Sequence, residues 1–502
     1  MTRQVRSSIY GGAVTVADQA EYQRLHSALN AQSAAMASSA SRWTQAACTL
    51  AAQRERLVWC PAAMQTAEPS VPVHTDQRAR IDAARDASDV MARRCRVLAD
   101  ECTQLADLVA RAHSLYAEAE MRNTRIVNRA VRAFAVHHPV ATGIAVGTLA
   151  VAGGIYGWAT EGSFNWAYSS KATAWAHEGV VSGIGAACSG PGGRLASLTD
   201  LPGQSINDTA AVASPFLSHV GGMVQGTSLR MRQVDSADMA VGGASGIQDA
   251  LHDLRRLGQA NGAGDDGLAY GTIAISQYRR QDGSQAWLVT IPGTDGQKDS
   301  PFGWIQNAEL MSASAAQRRD ADSARLVVQA MQQAGVQPED SVALIGHSQG
   351  GIVAAALASD YADTYRIEHV VTAGSPIANH PISSNTWVTS VEMDDELVAA
   401  LDGASNPAND HWVTIRGTVT DGDSDGLCTG RVIDDSDGPY RLTHDLKYHE
   451  AALGHALDLG SPAVQQHNDH FRGTIAGDYV GTTYWQGRMA HHDVKEIGRA
   501  HV

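Results

Sequence analysis

The feature that most constrains the fold of this chain is the hexapeptide GHSQGG at residues 346–351. A strand-like apolar run at 342–345 precedes it, and a helix-like run of small residues at 352–358 follows it. Glycines around a serine between a strand and a helix predict a sharp turn that raises the serine hydroxyl above a sheet. The following helix would direct its N-terminal amides at the same point. We therefore predict Ser348 as a nucleophile and the Gln349 amide as one donor to an oxyanion.

Strand-like and helix-like segments alternate along the chain around this motif. Apolar runs at 285–291, 369–373 and 387–393 predict strands, and the segment 315–334 has helical spacing with Gly335 as its stop. Such alternation predicts an α/β fold with a mostly parallel sheet and helices on both faces. The carboxyl ends of parallel strands share one edge, which is where functional sites form.

An acidic run follows the last of these strands. A serine hydroxyl needs a base to accept its proton and an acid to orient that base. For a serine on a strand-to-helix turn, the acid and then the histidine follow in the sequence. Asp394, Asp395 and Glu396 come directly after the strand at 387–393. Asp395 fits the acid best, and Asp394 and Glu396 remain alternatives because a slip of one residue changes the assignment.

The base is predicted at His444, where a loop rich in glycine and aspartate meets a helix-like run. The chain has 20 histidines, so this choice depends mainly on that position near the C-terminus. The alternatives are His449, His467, His470, His491 and His492. His347, beside the serine, is expected to form the pocket floor or to pack on the sheet.

A second oxyanion donor is predicted after the strand at 285–291. This strand leads through Pro292 into the loop GTDG at 293–296. We predict the Thr294 amide, helped by its hydroxyl, as the partner of the Gln349 amide. Donors of this kind each stabilise the transition state by about 3 kcal/mol.

Three segments together resemble the lipase-like α/β-hydrolases. They are IPGT at 291–294, GHSQGG at 346–351 and TAGSP at 372–376, and the resemblance covers roughly residues 226–481. Pro292 stands where these relatives carry an arginine, and Ala399 replaces a proline after the acidic run. The resemblance implies an α/β-hydrolase fold, hydrolysis of a small-molecule or lipid ester, thioester or acyl bond, and no cofactor.

One acidic segment could suggest a metal. The sequence DGDSDG at 421–426 matches the start of a calcium loop, but Val432 stands where the loop needs a bidentate glutamate. We interpret the segment as a solvated acidic turn and predict no metal site.

Residues 1–136 are predicted to form an all-helical hairpin, with helices at 16–58 and from Asp76 to about Phe134. Trp59 at the break and Tyr116 with Glu120 near the end resemble the WXG-type hairpins of type VII secretion, although the glycine after the tryptophan is missing. In combination with the hydrolase segment, the resemblance points to an actinobacterial type. It implies a helical partner and a secreted or cell-envelope protein of a Gram-positive bacterium.

Residues 137–224 are predicted as a hydrophobic segment and a linker, and residues 225–502 as the catalytic domain. The stretch 139–159 has no charged residue and is a candidate for membrane association. The stretch 189–229 is punctuated by glycine, serine and proline, which predicts a linker. The segment 402–440 is a candidate insert that covers the site.

Composition excludes some classes of function. The net charge of −15 argues against nucleic-acid binding, which requires a basic face. The six cysteines form no C-x-x-C pair, and buried free thiols are the favoured interpretation.

We predict a serine hydrolase that cleaves carboxylic esters through an acyl-enzyme. The alternatives are a secreted partner-binding helical protein with an inert or secondary hydrolase domain, and an acyltransferase that uses the same triad.

Overall fold

The computed structural model describes residues 2–12, 16–58, 73–112, 204–235, 240–263, 268–421, 430–434 and 443–491, together with 128, 131–136, 138, 142 and 180. These residues belong to two compact units. One unit contains a large sheet with its covering helices, and the other is a helical hairpin.

The sheet has ten strands and a parallel centre. The strands are β1 (Thr2–Gly11), β2 (Ser228–Val234), β3 (Thr272–Arg279), β4 (Gln285–Ile291), β5 (Ser341–His347), β6 (Arg366–Ala373), β7 (Trp387–Met393), β8 (Trp412–Asp421), β9 (Arg431–Asp434) and β10 (Asp478–Ala490). Their order is β2-β10-β3-β4-β5-β6-β7-β8-β1-β9. Strands β4 to β8 pair in parallel, whereas both flanks are antiparallel. The predicted α/β fold class is confirmed.

Helices cover both faces of this sheet. The described helices of both units, in chain order, are α1 (Val16–Val58), α2 (Val73–Ala112), α3 (Gln204–Gln225), α4 (Ile247–Ala263), α5 (Trp304–Leu310), α6 (Ala315–Asp320), α7 (Asp322–Ala334), α8 (Gln349–Asp360), α9 (Leu446–Asp458) and α10 (Pro462–Thr474). Helices α1 and α2 belong to the other unit and do not cover the sheet. Side chains of β5 alternate between the faces: Val342 and Leu344 pack with α7 and α8, while Ala343 and Ile345 pack with α4, α9 and α10.

The first strand corrects the predicted domain boundary. Residues 1–136 were assigned to the helical domain, but β1 lies in the sheet between β8 and β9. Val5 and Ile9 are fully buried on the face that carries α9. Ser7 lies between them on the same face, and its amide donates to His455 Nδ1 of α9 at 2.9 Å. The polar residues of this strand hide its apolar alternation, so the local pattern is weak.

The predicted linker and insert also form regular structure. Helix α3 and strand β2 occupy much of the segment 189–229. The Ala313 amide donates to Asn207 O of α3 at 3.0 Å, and Gln317 Nε2 donates to Ala211 O at 3.1 Å. The segment 402–440 supplies β8 and β9, so its described part belongs to the sheet and is not an insert over the site.

The second unit is an antiparallel pair formed by α1 and α2. Three contacts show that the two helices run in opposite directions, because the residue number of the partner on α2 decreases as the residue number on α1 increases. They are Ser33 with Thr103 at 2.8 Å, Thr44 with Arg96 at 2.9 Å and Arg54 with Asp82 at 2.6 Å. The predicted helix at 16–58 is confirmed.

Small residues, rather than large ones, line the buried seam of this hairpin. The buried positions Ala92, Ala99 and Ala106 of α2 recur every seven residues, as do Ala40 and Ala47 of α1. Five larger apolar residues of α2 are exposed, namely Val90, Met91, Val97, Leu98 and Leu105. Alanine lets two helices approach closely, which favours it at the seam. The helical partner stays a prediction.

Several predictions fall partly or wholly outside the described residues. These include Trp59, Tyr116, Glu120, most of the stretch 139–159 and the acidic turn after Asp421.

None of the helices that the structure describes is both long and apolar enough to span a membrane. Within the same described ranges, no group of three potential ligands could hold a metal ion. Cys48, Cys95 and Cys102 are free, and Cys48 is exposed rather than buried.

Substitution of two neighbouring residues tests whether alanine, and not the larger apolar residues, forms the buried seam. Ala99→Leu should lower the free energy of unfolding of the hairpin by about 1–3 kcal/mol, because the seam has no room for a larger side chain. Leu98→Asn should change it by less than about 0.5 kcal/mol, because Leu98 is 47% exposed. Urea denaturation followed by circular dichroism measures both. A larger loss from Leu98→Asn would contradict this packing.

Candidate active site

The turn between β5 and α8 has the strained geometry that the motif predicts. Ser348 has φ +52° and ψ −119°, and no other described non-glycine residue has a positive φ. A Cβ at Gly346 would overlap the backbone of Gly350 and Gly351, so the close approach requires glycine there. The Ser348 amide donates to Ala373 O at the end of β6, at 2.9 Å. This bond fixes the half-buried serine above the sheet edge.

Two backbone amides lie beside Ser348. Gln349 is fully buried, and its Nε2 donates to Gly303 O at 2.9 Å, which anchors the first turn of α8. A Cβ at Gly293 would lie 3.2 Å from Ser348 Cβ, so the loop after β4 adjoins the serine. Among the residues described, the Gln349 and Thr294 amides have no hydrogen-bond acceptor. Both are therefore free to bind an oxyanion.

Asp295 holds the loop that carries Thr294. Its carboxylate accepts hydrogen bonds from Ser300 Oγ at 2.6 Å, from the Gly271 amide at 2.9 Å and from the Gln297 amide at 3.0 Å. Burial raises the pKa of Asp295, and these hydrogen bonds oppose that rise. Asn307 of α5 donates to Thr294 Oγ1 at 3.3 Å, which adds a second anchor. The loop is thus fixed without use of the Thr294 amide.

Glu396, and not Asp395, contacts the predicted base. Its fully buried carboxylate oxygen Oε1 is hydrogen-bonded to His444 Nδ1. The Glu396 amide donates to Met393 O at 3.1 Å, which closes a turn directly after β7. That turn directs the Glu396 side chain inward, toward His444. The prediction of Asp395 as the acid is corrected by this geometry, and the alternative Glu396 has the required position.

The other two acidic residues point elsewhere. Asp395 is buried and accepts a hydrogen bond from Thr443 Oγ1, the residue before the base. Asp394 is exposed and contacts Thr418, and its carboxylate lies 3.7 Å from Arg416 Nε. Asp395 therefore supports the loop that carries His444, while Asp394 contacts two residues of β8.

His444 lies at the strand edge where Ser348 is held. A Cβ at Gly374, which has φ +58°, would overlap Glu396 Oε1 and lie 2.9 Å from His444 Nδ1. Gly374 directly follows Ala373, the acceptor of the Ser348 amide. With Nδ1 on the carboxylate, Nε2 of His444 is the nitrogen left for a serine. Within the described residues, Ser348 Oγ and His444 Nε2 form no hydrogen bond, and such contacts often tighten only when substrate binds.

Two further histidines surround this pair. His449 Nε2 lies 3.0 Å from Glu396 Oε2, the second oxygen of the same carboxylate. His347 Nε2 donates to the backbone carbonyl of His444 at 2.9 Å, and the two rings are 4.6 Å apart. His347 therefore orients the backbone of the base, a role that the sequence pattern did not reveal. Desolvation, with His444 and His449 nearby, lowers the pKa of His347 well below its usual value.

The charge on Glu396 follows from its partners. Burial alone would raise the pKa of Glu396, but the two histidines hold that pKa well below the usual range. For His449, burial opposes the charged form, yet the contact with Glu396 gives a net raised pKa. The site therefore contains a buried, ionised carboxylate between two imidazoles.

The remaining histidine alternatives lie away from Ser348. His467 and His470 group with His369, whose Nδ1 lies 3.0 Å from His470 Nδ1. His369 stands four residues before Ala373 on β6, which places this group about 13 Å down the strand. His491 is exposed just after β10, and His492 lies outside the described residues. None of these described histidines contacts Glu396.

Comparison with known proteins agrees with the α/β fold class at a coarse level. Residues 318–422 match the family described as PGAP1-like alpha/beta domain. The matched segment contains Ser348 and Glu396 and ends before His444. No curated protein and no solved structure matches the chain. The chain thus contains, in residues 318–422, an α/β domain of the serine-hydrolase type that is similar to the PGAP1-like family.

Proposed function

We propose that the protein is a serine hydrolase that cleaves carboxylic esters through an acyl-enzyme formed on Ser348. The observation that carries the proposal is the buried Glu396 carboxylate on His444 Nδ1, beside a strained serine. A histidine fixed by an acid and aimed at a serine is the arrangement that activates a hydroxyl for acyl transfer. The match of residues 318–422 supports the same class of chemistry.

In the first half of the reaction, Ser348 Oγ attacks the ester carbonyl carbon. His444 Nε2 accepts the hydroxyl proton as the new C–O bond forms, and Glu396 stabilises the resulting imidazolium. Collapse of the tetrahedral intermediate breaks the bond to the leaving alcohol. The imidazolium returns its proton to that alcohol, which leaves Ser348 acylated.

In the second half, a water molecule replaces the alcohol. His444 Nε2 accepts a proton from water while the water oxygen attacks the acyl carbon. The intermediate then expels Ser348, which regains the proton from the imidazolium, and the carboxylic acid departs. The enzyme returns to its starting state, with no cofactor consumed.

The two free amides supply the oxyanion site. The Gln349 amide lies at the N-terminus of α8, where the positive end of the helix dipole also favours a bound negative charge. The Thr294 amide approaches from the loop that Asp295 holds. Because both donors are fixed before substrate binds, they stabilise the developing charge by about 3 kcal/mol each without reorganisation.

Substitution of Ser348 tests the proposal. Ser348→Ala should lower kcat on p-nitrophenyl esters by about 10⁶-fold and abolish covalent labelling by a fluorophosphonate, because the nucleophile is lost. Ser359→Ala is the matched control on the same helix, since Ser359 Oγ only donates to Ala355 O at 2.7 Å. Undiminished hydrolysis by Ser348→Ala would refute the proposal, as would failure of the folded wild type to react with either reagent.

A pair of acid variants tests which carboxylate orients the base. Glu396→Gln should lower kcat by about 10³ to 10⁴-fold, because the neutral amide no longer stabilises the imidazolium. Asp395→Asn should cost less than about tenfold, since Asp395 contacts Thr443 and not His444. Steady-state kinetics on one p-nitrophenyl ester compares them. If Asp395→Asn proved the more damaging variant, the assignment of Glu396 would be wrong.

A further inference from the structure

The second oxygen of the Glu396 carboxylate has a partner that the proposed mechanism does not use. His449 Nε2 lies 3.0 Å from Glu396 Oε2, and both side chains have 0% exposure. The other ring nitrogen, Nδ1, lies 3.2 Å from the backbone carbonyl of Asp445. His449 is therefore enclosed between two oxygen atoms, with no contact to solvent.

Both of these oxygen atoms can only accept hydrogen bonds. A backbone carbonyl has no proton, and neither does an ionised carboxylate. A neutral imidazole carries one proton, so one of its nitrogens would direct a lone pair at an oxygen lone pair. In a buried site such an unpaired contact costs about 1–3 kcal/mol, and more beside a charge. An imidazolium, with a proton on each nitrogen, satisfies both contacts.

We infer that His449 is a permanently protonated positioning residue that orients the Glu396 carboxylate toward His444. This inference rests on the proposed function for its effect on rate. It does not rest on that function for the protonation of His449, which is a property of the folded protein.

The local chain explains how both histidines reach one carboxylate. Asp445 is the N-cap of α9, and its side chain accepts a hydrogen bond from the Lys447 amide at 3.0 Å. His444 precedes the cap and His449 lies one turn inside the helix. The bond from His449 Nδ1 to Asp445 O spans four residues, so the helix itself sets the direction of the ring. The start of α9 thus presents two imidazoles to Glu396.

Among the described residues, the titratable groups that face His449 are Glu396, His444, His347 and Asp445. The described charged or titratable side chains of the packed elements have the following contacts: Arg3 of β1 with Tyr448, Arg416 of β8 with Glu392, Arg431 of β9 with Asp458, Arg255 of α4 with Glu450, and His467 of α10 with Thr389. The neutral His347 adds no charge. Glu396 therefore faces one fixed cation and one base.

The consequence for His444 is geometric. An N–H of His449 holds Glu396 Oε2, and this leaves Oε1 directed at His444 Nδ1. Without that N–H, a buried carboxylate oxygen would lose its donor, and the carboxylate would be less firmly held beside His444.

The protonation of His449 is tested by NMR of the full-length protein labelled with ¹⁵N-histidine. At pH 7.5, residue 449 should show two ring N–H groups. His455 is an internal control on the same helix, because its Nδ1 accepts from the Ser7 amide and must lack a proton. The signals are assigned by their loss in His449→Gln and His455→Gln. A single ring N–H at His449 would overturn the inference, whether or not the protein hydrolyses esters.

The positioning role is tested by steady-state kinetics on one p-nitrophenyl ester. His449→Phe removes the donor to Glu396 Oε2, so kcat should fall by about tenfold or more with KM unchanged, and His449→Gln, which keeps a donor, should recover part of that loss. His455→Gln, which leaves Glu396 untouched, should keep the kcat of the wild type. An unchanged kcat in folded His449→Phe would refute the role of His449. Loss of hydrolysis in the wild type itself would instead refute the proposed function, and the NMR result would still stand.

Discussion

The site is built around the backbone turn at Ser348. A non-glycine residue at φ +52° costs on the order of 1–3 kcal/mol, and such strain persists only where the surroundings hold it. Here the Ser348 amide bonds to Ala373 O, and glycines let α8 pack against the ends of β4 and β5. The same turn that raises the hydroxyl also frees the Gln349 amide. Strain, nucleophile and oxyanion donor are therefore consequences of one local geometry.

The second requirement is a partner for a buried carboxylate. Glu396 is fully shielded from water, and a charge in that position is stable only when it is paired and hydrogen-bonded. Both of its oxygens meet an imidazole from the start of α9. This pairing ties the turn after β7 to a helix that packs on β1, β7 and β8. The electrostatics of the site and the attachment of α9 to the sheet thus depend on the same contacts.

Local patterns were enough to predict the centre of the fold and the strained turn at Ser348. The strands at 285–291 and 387–393 are buried on both faces, and they and the turn match the sequence interpretation because short strand-like runs and glycine geometry are local signals. The acid was misassigned by one residue, since only the hydrogen bonds of the turn after β7 decide which carboxylate points inward. Strand β1 was missed because its partners lie about 400 residues away in sequence. In the hairpin, the buried seam consists mainly of alanines, which hydrophobic periodicity does not distinguish from exposed alanines.

The measurement that most directly tests this account is a crystal structure of the protein after reaction with an alkyl fluorophosphonate. The account predicts a covalent bond from phosphorus to Ser348 Oγ, with one phosphonyl oxygen about 3 Å from the Gln349 and Thr294 amide nitrogens. His444 should remain hydrogen-bonded to Glu396 through Nδ1. An adduct on another residue, or a phosphonyl oxygen directed away from both amides, would contradict the central claim.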